Sequence, residues 1–325
     1  NPGIQKWLGL NKNGLEFAAS RLKTISLNPN GNALVIDGDH LEGDGITDQH
    51  RAEFKSFKKK TNSLARFFRS TYQISPPRIR TDNKKDLLGL MQTGWNLRTM
   101  GNEGMTDMLR FIAINVFDLL DEYFDNDFIK GSLAIDAVLG NHLGPRTNNS
   151  VITYLHTLTG EIDGVQGAYA IPKGGMSSYT DALKNSAEKL GVRIVLDSHV
   201  EQIIVDENGK ASGVKFAKGN EVGADVVVSG IDPKSTFMCL VGARHLEAGF
   251  VHKINNVRMR GNASKLHLAL SGLPSFNGVD EKDIGQRIVI SPTMQYLEQA
   301  FDYTKYQHCS DQLPMEITIP SIHDS

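Results

Sequence analysis

Cysteine is scarce in this sequence, with Cys239 and Cys309 as its two examples, seventy positions apart. No Cys-x-x-Cys pair and no cluster of cysteine with histidine accompanies them, so neither a structural zinc site nor a disulfide framework is supported. We expect two ordinary thiols, buried or half-buried, in a reducing compartment. The cytoplasm or an organelle matrix fits that expectation.

Long apolar runs are also missing, since none approaches the ~20 residues that a membrane-spanning helix requires. The chain starts at Asn1 without a methionine, a basic segment or an apolar signal core. It stops at Ser325, shortly after a strand-like stretch at 315–319. Neither end has the features of a natural terminus, and we expect the sequence to be part of a longer chain.

An excess of charge of one sign is likewise absent, because 35 Lys and Arg oppose 37 Asp and Glu for a net charge of -2. No overall field attracts nucleic acid, which makes a nucleic-acid partner a poor expectation. The 325 residues exceed the ~250–300 at which one hydrophobic core stops growing, so two lobes are predicted.

Apolar residues recur every three or four positions through much of the region 48–160, which predicts a mainly helical block. The predicted helices cover Asp48–Tyr72, Met105–Phe124, Asp127–His142 and Ser150–Thr157. A further helix follows the loop at 172–176, and Gly191 is placed as its C-terminal glycine. A shorter helix is predicted over Ser235–Val241.

Strand patterns are concentrated after residue 190. A meander of adjacent strands with glycine turns is predicted at Val192–Leu196, Val200–Val205, Gly213–Ala217 and Ala224–Ser229. The last of these is apolar at consecutive positions, which predicts burial on both faces. Further strands are predicted at Leu34–Ile36, Lys265–Leu270, Arg287–Ile290 and Glu316–Ile319.

Residues 171–240 carry a series of motifs in a fixed order. Pro-Lys-Gly-Gly-Met at 172–176 precedes a helix that ends in Glu-Lys-Leu-Gly-Val-Arg-Ile. Gly-Lys-Ala-Ser-Gly-Val and Ala-Asp-Val-Val-Val-Ser-Gly-Ile-Asp-Pro follow at 209–214 and 224–233. This order resembles phytoene dehydrogenases (carotenoid desaturases) and the related amine-oxidase-like flavoproteins. A weaker similarity, Ile-Pro-Ser-x-x-Asp ending at Asp324, resembles the phytoene-dehydrogenase-related branch.

The resemblance implies an α/β fold, in which a partial glutathione-reductase-like FAD-binding lobe is interleaved with a larger α+β substrate lobe. It assigns 1–165 and 236–325 to the substrate lobe and 166–235 to the FAD lobe. The family's Gly-x-Gly-x-x-Gly loop holds the FAD pyrophosphate at a helix N-terminus, and no such spacing occurs in this sequence. The family's C-terminal FAD-closing segment is not recognised either. FAD is therefore expected in the full-length protein and is not expected to be retained by these residues alone.

The resemblance also implies the cofactor contacts. Val200 is the position whose backbone meets the adenine edge, and Gly230, Ile231 and Asp232 lie at the C-terminal end of a strand, where ligands bind in open sheets. Gly174 and Gly175 match a loop at the junction of the two lobes. Each assignment has a structural alternative: a core strand for Val200, a helix cap for Asp232 and a tight turn for the two glycines.

The predicted activity is hydride transfer to flavin from an apolar substrate, for which an isoprenoid is one candidate. No residue is assigned a catalytic role, and this includes His142 and His156. In flavin chemistry the protein serves mainly to orient the substrate and to exclude water. A non-enzymatic binding or interaction domain remains the alternative, and an amine oxidase is weaker because nothing marks an amine cage. The basic residues at 55–60 indicate either a peripheral membrane contact or a solvated helix face. The substrate, the electron acceptor and the oligomeric state stay unassigned, and no metal site is predicted.

Overall fold

The computed structural model describes residues 2–72, 74, 78 and 83–324. By its internal contacts the chain divides into two units. The first unit comprises Asn1–Ser186 with Gly261–Ser325, and the second comprises Ala187–Arg260. The chain mixes helices with sheets, as the sequence predicts. The assignment of its parts to a flavin lobe and a substrate lobe stays a prediction.

The strands are mostly short. In chain order they are β1 (Phe17–Leu22), β2 (Thr24–Leu27), β3 (Ala33–Asp37), β4 (His40–Gly43), β5 (Glu161–Ile162), β6 (Val165–Gln166), β7 (Tyr169–Pro172), β8 (Val200–Val205), β9 (Ala211–Phe216), β10 (Glu221–Gly223), β11 (Arg287–Ile290) and β12 (Met315–Ile317).

The α-helices are concentrated between residues 48 and 190. In chain order they are α1 (Pro2–Trp7), α2 (Asp48–Thr71), α3 (Lys84–Thr99), α4 (Gly101–Ala113), α5 (Val116–Tyr123), α6 (Asp127–Val138), α7 (Ser150–Thr157), α8 (Gly175–Lys189), α9 (Ala248–Asn255) and α10 (Met294–Lys305). A π-helical segment covers Ser235–Gly242.

A five-stranded sheet in the order β12-β11-β2-β3-β4 organises the first unit. Its pairs are antiparallel except β11 with β2, which run parallel. The side chains of Leu34 and Val289 face helices α2 and α4–α7 and share their core, whereas Ile25 and Ile288 belong to a smaller core on the opposite face. This alternation follows from the two-residue period of a strand.

The N-terminal end of α2 shows why the helical block begins where it does. Thr47 is extended, and its hydroxyl accepts a hydrogen bond from the backbone N–H of His50, while His50 Nδ1 accepts one from the backbone N–H of Thr47. This reciprocal cap satisfies two amides that lack helical partners. Phe54, Phe57 and Leu64 then turn to the core.

The second unit contains an antiparallel meander in the order β10-β9-β8. Asp206 accepts hydrogen bonds from the amides of Asn208 and Lys210 in the turn between β8 and β9, where Gly209 has φ 78°. The π-helical segment packs on β8 and buries Thr236. The predicted strands Val200–Val205 and Gly213–Ala217 are thus confirmed, the second beginning two residues earlier.

The predicted single helix over Met105–Phe124 is wrong, because two helices share that region. Ile114 is extended, with ψ 154°, and the side chain of Asn115 accepts a hydrogen bond from the backbone N–H of Asp118, which starts α5. The asparagine cap competes with helix continuation. In addition α4 starts at Gly101, α6 ends at Val138 rather than His142, and α3 was not predicted.

Three predicted strands are not formed: 192–196, 224–229 and 265–270 carry no strand in the described chain. A strand exists through hydrogen bonds to a neighbour, and within the described residues none of these segments pairs with one. Burial of the second segment on both faces is therefore also wrong for this chain, since Val226 is 74% exposed and Val228 is 88% exposed.

Both cysteines were expected to be buried or half-buried, and that expectation is wrong, because Cys239 and Cys309 are exposed. Among the helices that the structure describes, none combines the length and the apolarity needed to cross a bilayer.

Candidate functional site

The predicted Gly174–Gly175 loop connects β7 to α8. Strand β7 pairs with β1, and the amide of Lys173 continues that pairing by donating to the carbonyl of Glu16 at 3.0 Å. Gly174 has φ 80° and Gly175 has φ 73°, a region that L side chains rarely adopt. The two glycines therefore allow the chain to turn sharply and direct consecutive amides outward at the start of a helix.

The carboxylate of Asp324 occupies those amides. Its Oδ2 accepts hydrogen bonds from the Gly174 N–H at 2.5 Å and from the Gly175 N–H at 3.2 Å. The first amides of a helix have no partner inside it, and the helix dipole favours a negative charge there. The next residue back, His323, places Nε2 2.8 Å from the carbonyl oxygen of Gly285, a hydrogen bond that requires the proton on Nε2.

A second group of charged side chains surrounds the buried Arg287 of β11. The guanidinium is 2% exposed and donates from Nη2 to Asp136 at 2.6 Å and from Nε to Glu316 at 2.8 Å. Its Nη1 donates to Thr24 Oγ1 at 3.2 Å, and its Cζ stands 4.3 Å from the ring centroid of Tyr169. Arg287 thus joins β2, α6, β7 and β12.

The electrostatics of this cluster favour a charged Arg287 and neutral Tyr169 and Tyr154. Burial alone would lower the pKa of Arg287, but Asp136, Tyr169 and Glu316 outweigh it and raise that pKa. The pKa of Tyr169 is raised, first by burial and then by the charge of Asp136. Burial likewise raises the pKa of Tyr154, with Asp136 adding to the effect.

Lys58 of α2 lies in the same electrostatic neighbourhood and is 9% exposed. Burial lowers its pKa, and the charges of Asp136 and Asp39 oppose that shift only in part. Among the described residues no carboxylate comes within ion-pair distance of its ammonium group. Lys58 is therefore a buried amine without a direct counter-ion in this part of the chain.

The remaining predicted site residues belong to the second unit. Val200 opens β8 opposite Phe216, and β8 lies at an edge of its sheet. An edge strand turns alternate amides and carbonyls away from its neighbour. Val200 is therefore placed where the outward backbone groups of β8 can face a ligand.

Gly230, Ile231 and Asp232 follow segment 224–229, which forms no strand. Asp232 makes a capping contact, since its Oδ1 accepts a hydrogen bond from the backbone N–H of Ser235 at 2.9 Å. Hydrogen bonds from Ser235 lower the pKa of Asp232. Gly230 has no positive φ, and an added Cβ would meet nothing within 4 Å, so the chain's own packing does not require glycine there.

Two further groups considered in the sequence have local roles. Lys58 is buried, and Lys60 pairs with Asp107 at 2.9 Å, so 55–60 is not a uniformly exposed basic face. Nδ1 of His156 lies 3.0 Å from the Tyr72 hydroxyl. The ring of His142 packs edge-on against Phe301, and its buried Nδ1 has no hydrogen-bond partner in the described structure.

Sequence reasoning missed the Arg287 cluster and the role of Asp324. A signal for each was present. Arg287 is a charged residue at the start of an otherwise apolar strand, and Asp324 closes the Ile-Pro-Ser-x-x-Asp stretch. Neither signal identifies the contacting residue, because Asp136 lies about 150 positions from Arg287 and Gly174 lies 150 positions from Asp324.

A shallow cavity of about 350 Å³ opens at the ends of β2 and β11, on the sheet face opposite the helices. Its apolar lining comes from Leu27, Phe276 and Ile290, and polar groups of Asn28 and Asn277 flank it. Its volume lies within the range of small-molecule sites.

Comparison with known proteins identifies the family. Residues 83–307, well over half of the chain, match the flavin containing amine oxidoreductases. The chain belongs to that family. The resemblance of 171–240 to phytoene-dehydrogenase-related flavoproteins is confirmed by the relatives that the chain matches.

The relatives that the chain matches differ in how much of it they cover. Pyridine nucleotide-disulfide oxidoreductase domain-containing protein 2 of Mus musculus is 30% identical over 235 residues, which cover 70% of this chain and 40% of that protein. The neurosporene-forming phytoene desaturase of Rhodobacter capsulatus is 25% identical over 53% of this chain and 32% of its own length. The chain therefore spans less than half the length of these relatives.

A solved structure of a putrescine oxidase with redesigned cofactor binding aligns with 74% of this chain and 47% of its own, at 13% identity and a TM-score of 0.44. Because this TM-score is low, the α/β fold class is assigned from the chain's own helices and sheets.

Proposed function

We propose that this chain is part of an FAD-dependent oxidoreductase, in which the meander β8–β10 lies against the adenine side of FAD. Bound flavin would accept a hydride from a C–H bond of an apolar substrate of isoprenoid type, as the adjoining C–C or C–N bond becomes a double bond and the neighbouring atom releases a proton. Family membership supports the cofactor, and the resemblance to phytoene dehydrogenases supports the class of substrate.

The local structure around Gly230 gives the strongest support for this proposal. Neither its backbone angle nor its neighbours within the described chain account for a glycine. A glycine directly after segment 224–229, which has the composition of a buried strand, gives a cofactor room to approach the backbone. The uncovered Val226 and Val228 support the same arrangement, in which other parts of a longer protein add the strands and the phosphate-binding loop.

In this proposal the first unit holds the substrate, and the Gly174–Gly175 loop is the one that the resemblance assigns to the cofactor. The chain's own groups would exclude water and hold the loop in place. Asp324 fixes the two glycine amides, and Arg287 fixes the strands that lead to them. Backbone groups of Val200 would hydrogen-bond to the edge of the adenine, because main-chain donors and acceptors suit a planar base without charge.

The experiment is to purify the protein encoded by the complete gene and to record its visible spectrum. The absorption bands of oxidised flavin are expected. Gly230→Val should lower the flavin content, because its side chain would enter the space assigned to the cofactor. Gly261→Val is the matched control, since Gly261 also has no neighbouring atom within 4 Å and no positive φ.

Two outcomes would overturn the proposal. One is a full-length protein that is colourless and indifferent to added FAD, which would favour a binding or interaction domain. The other is flavin content that is unchanged in Gly230→Val and equal to that of the control. Val200→Pro gives an independent check, because proline removes the backbone N–H at the predicted adenine contact.

A further inference from the structure

Asparagine is followed directly by glycine at four places in the sequence. The pairs stand at 13–14, 30–31, 208–209 and 277–278. The main-chain nitrogen that follows an asparagine can attack the amide carbon of its side chain, and a following glycine leaves that nitrogen unshielded because it has no Cβ. Asparagine is accordingly counted among the thermolabile residues. Which of the four pairs can react depends on what holds the glycine nitrogen in the folded chain.

In two of the pairs the glycine N–H closes a turn. The N–H of Gly209 donates to the carbonyl oxygen of Asp206 at 3.0 Å. The N–H of Gly31 donates to the carbonyl oxygen of Asn28 at 3.1 Å. Each nitrogen must give up its hydrogen bond before it can react, which reduces the fraction of molecules in which attack is possible.

The pair at 13–14 is held at both reacting groups. The N–H of Gly14 donates to the carbonyl oxygens of Leu10 and Asn11 at the end of a 3-10 helical turn. The side-chain amide of Asn13 donates from Nδ2 to the carbonyl oxygen of Gly9 at 3.0 Å. Neither the nitrogen nor the amide carbon is therefore free to move toward the other.

The pair at 277–278 occupies a different position in its turn. The N–H of Val279 donates to the carbonyl oxygen of Phe276 at 3.1 Å, so Asn277 and Gly278 are the two central residues of that turn. The bond that closes the turn uses neither of them. Within the described chain no acceptor meets the Gly278 N–H, and no hydrogen bond holds the exposed side chain of Asn277. In this part of the structure both reacting groups are therefore available.

We propose that Asn277 is a site of spontaneous deamidation in the folded protein. The nitrogen of Gly278 releases its proton to solvent and bonds to Cγ of Asn277. The bond between Cγ and Nδ2 then breaks, and Nδ2 takes up a proton and leaves as ammonia. Water opens the resulting succinimide ring at either of its carbonyl carbons, which gives aspartate or isoaspartate. Water is the co-reactant, and no atom is oxidised or reduced.

The reaction changes the charge and the path of the chain beside the open cavity at the ends of β2 and β11. Asn277 lines that cavity together with Leu27 and Phe276, and none of the described lining residues is charged. Either product introduces a carboxylate there. Isoaspartate also adds a methylene group to the main chain, in a turn so close to Gly31 that a Cβ on Gly278 would lie 2.5 Å from its backbone oxygen. The modified turn must therefore move relative to the loop that contains Gly31.

The test follows the full-length protein during incubation in mildly alkaline buffer. Peptide mass spectrometry measures the fraction of each asparagine that has become an acid. Asn277 should react about fivefold faster or more than the asparagine of each other pair, because those pairs must first lose a hydrogen bond of ordinary net strength. In concentrated urea the four rates should converge, since the pairs share their chemistry and differ in their folded surroundings.

Asn277→Gln is the matched variant, because glutamine keeps the amide but closes the larger ring far more slowly. It should remove the early phase of ammonia release from the folded protein. Asn208→Gln is the control, at a pair whose glycine N–H is bonded, and should leave that phase unchanged. Thermal unfolding verifies that both variants keep their fold.

Three results would overturn the proposal. One is an equal rate at the four pairs in the folded protein, and another is a ranking of rates that urea does not change. The third is an early phase of ammonia release that survives in Asn277→Gln. None of these measurements depends on flavin content, so failure of this proposal and failure of the proposed function are distinguishable.

Discussion

Asp324 holds the backbone amide of Gly174 from 150 positions away, with 2.5 Å between Oδ2 and N. The contact joins two stretches that the sequence marks separately, the Pro-Lys-Gly-Gly-Met loop and the Ile-Pro-Ser-x-x-Asp stretch. The carboxylate also reaches Gly175, so one side chain satisfies two amides at the start of α8. A side chain from a distant segment thus takes the place of a local helix cap.

Replacing Asp324 tests that contact. Asp324→Ala is expected to lower the free energy of unfolding by about 1 kcal/mol, as for a lost helix cap, and Asp324→Asn by less, because it keeps an acceptor without the charge. Urea unfolding followed by circular dichroism measures both. Asp311→Asn, at an exposed aspartate nearby in sequence, serves as control. An Asp324→Ala protein as stable as this control would contradict the role.

Arg287→Met leaves Asp136, 20% exposed, and Glu316, 31% exposed, without the buried guanidinium that they share. Removing one partner of a fully buried ion pair costs about 3–5 kcal/mol, and a smaller loss is expected in urea unfolding, because water still reaches both carboxylates. Arg287→Lys should recover part of it, because lysine restores the charge but not the planar fork. The comparison is Arg258→Met, at an exposed arginine, which should change little. Equal stability of the two methionine variants would refute this account.

Two helical glycines should respond to alanine in opposite directions. A Cβ on Gly131 of α6 would lie 2.5 Å from the backbone oxygen of Ser291 and 2.6 Å from the amide nitrogen of Thr293. Gly131→Ala is therefore expected to destabilise by about 1–3 kcal/mol. Gly94 of α3 has open space around it, so Gly94→Ala should stabilise by about 0.5–1 kcal/mol. Thermal unfolding of both variants checks the difference in sign. A stabilising Gly131→Ala would contradict the close packing of α6, and a destabilising Gly94→Ala would contradict the open space around that position.

Lys58 should make stability depend on pH. Its pKa is lowered in the folded protein from the ordinary 10.5, so between the two values the unfolded chain binds more protons and the free energy of unfolding rises with pH. Lys58→Met removes this dependence and should be more stable than the parent at neutral pH. The difference should shrink as the pH approaches 10.5.

Urea unfolding between about pH 7 and pH 10 measures the Lys58→Met difference. Lys55→Met is the control on the same helix, because Lys55 is exposed and its removal should leave the pH dependence unchanged. A difference that grows with pH would show that Lys58 is stabilised in its charged form.

The sequence determined what depends on neighbours along the chain. Helix α2 begins at Asp48 and α7 covers Ser150–Thr157 as predicted, because apolar spacing and caps act within a few residues. The β8–β9 hairpin was readable from Asn208 and Gly209, since a glycine turn brings its own strands together. The family, too, followed from local motifs in order.

Tertiary structure decided what depends on distant partners. Ala224–Ser229 has the composition of a buried strand but forms none here, since no described strand pairs with it. Arg287 acquires its setting from residues on four other segments, and Asp324 finds Gly174 only after the chain has folded. Burial and strand pairing are properties of the folded molecule, because they require residues far apart in sequence to come into contact and exclude water from between them.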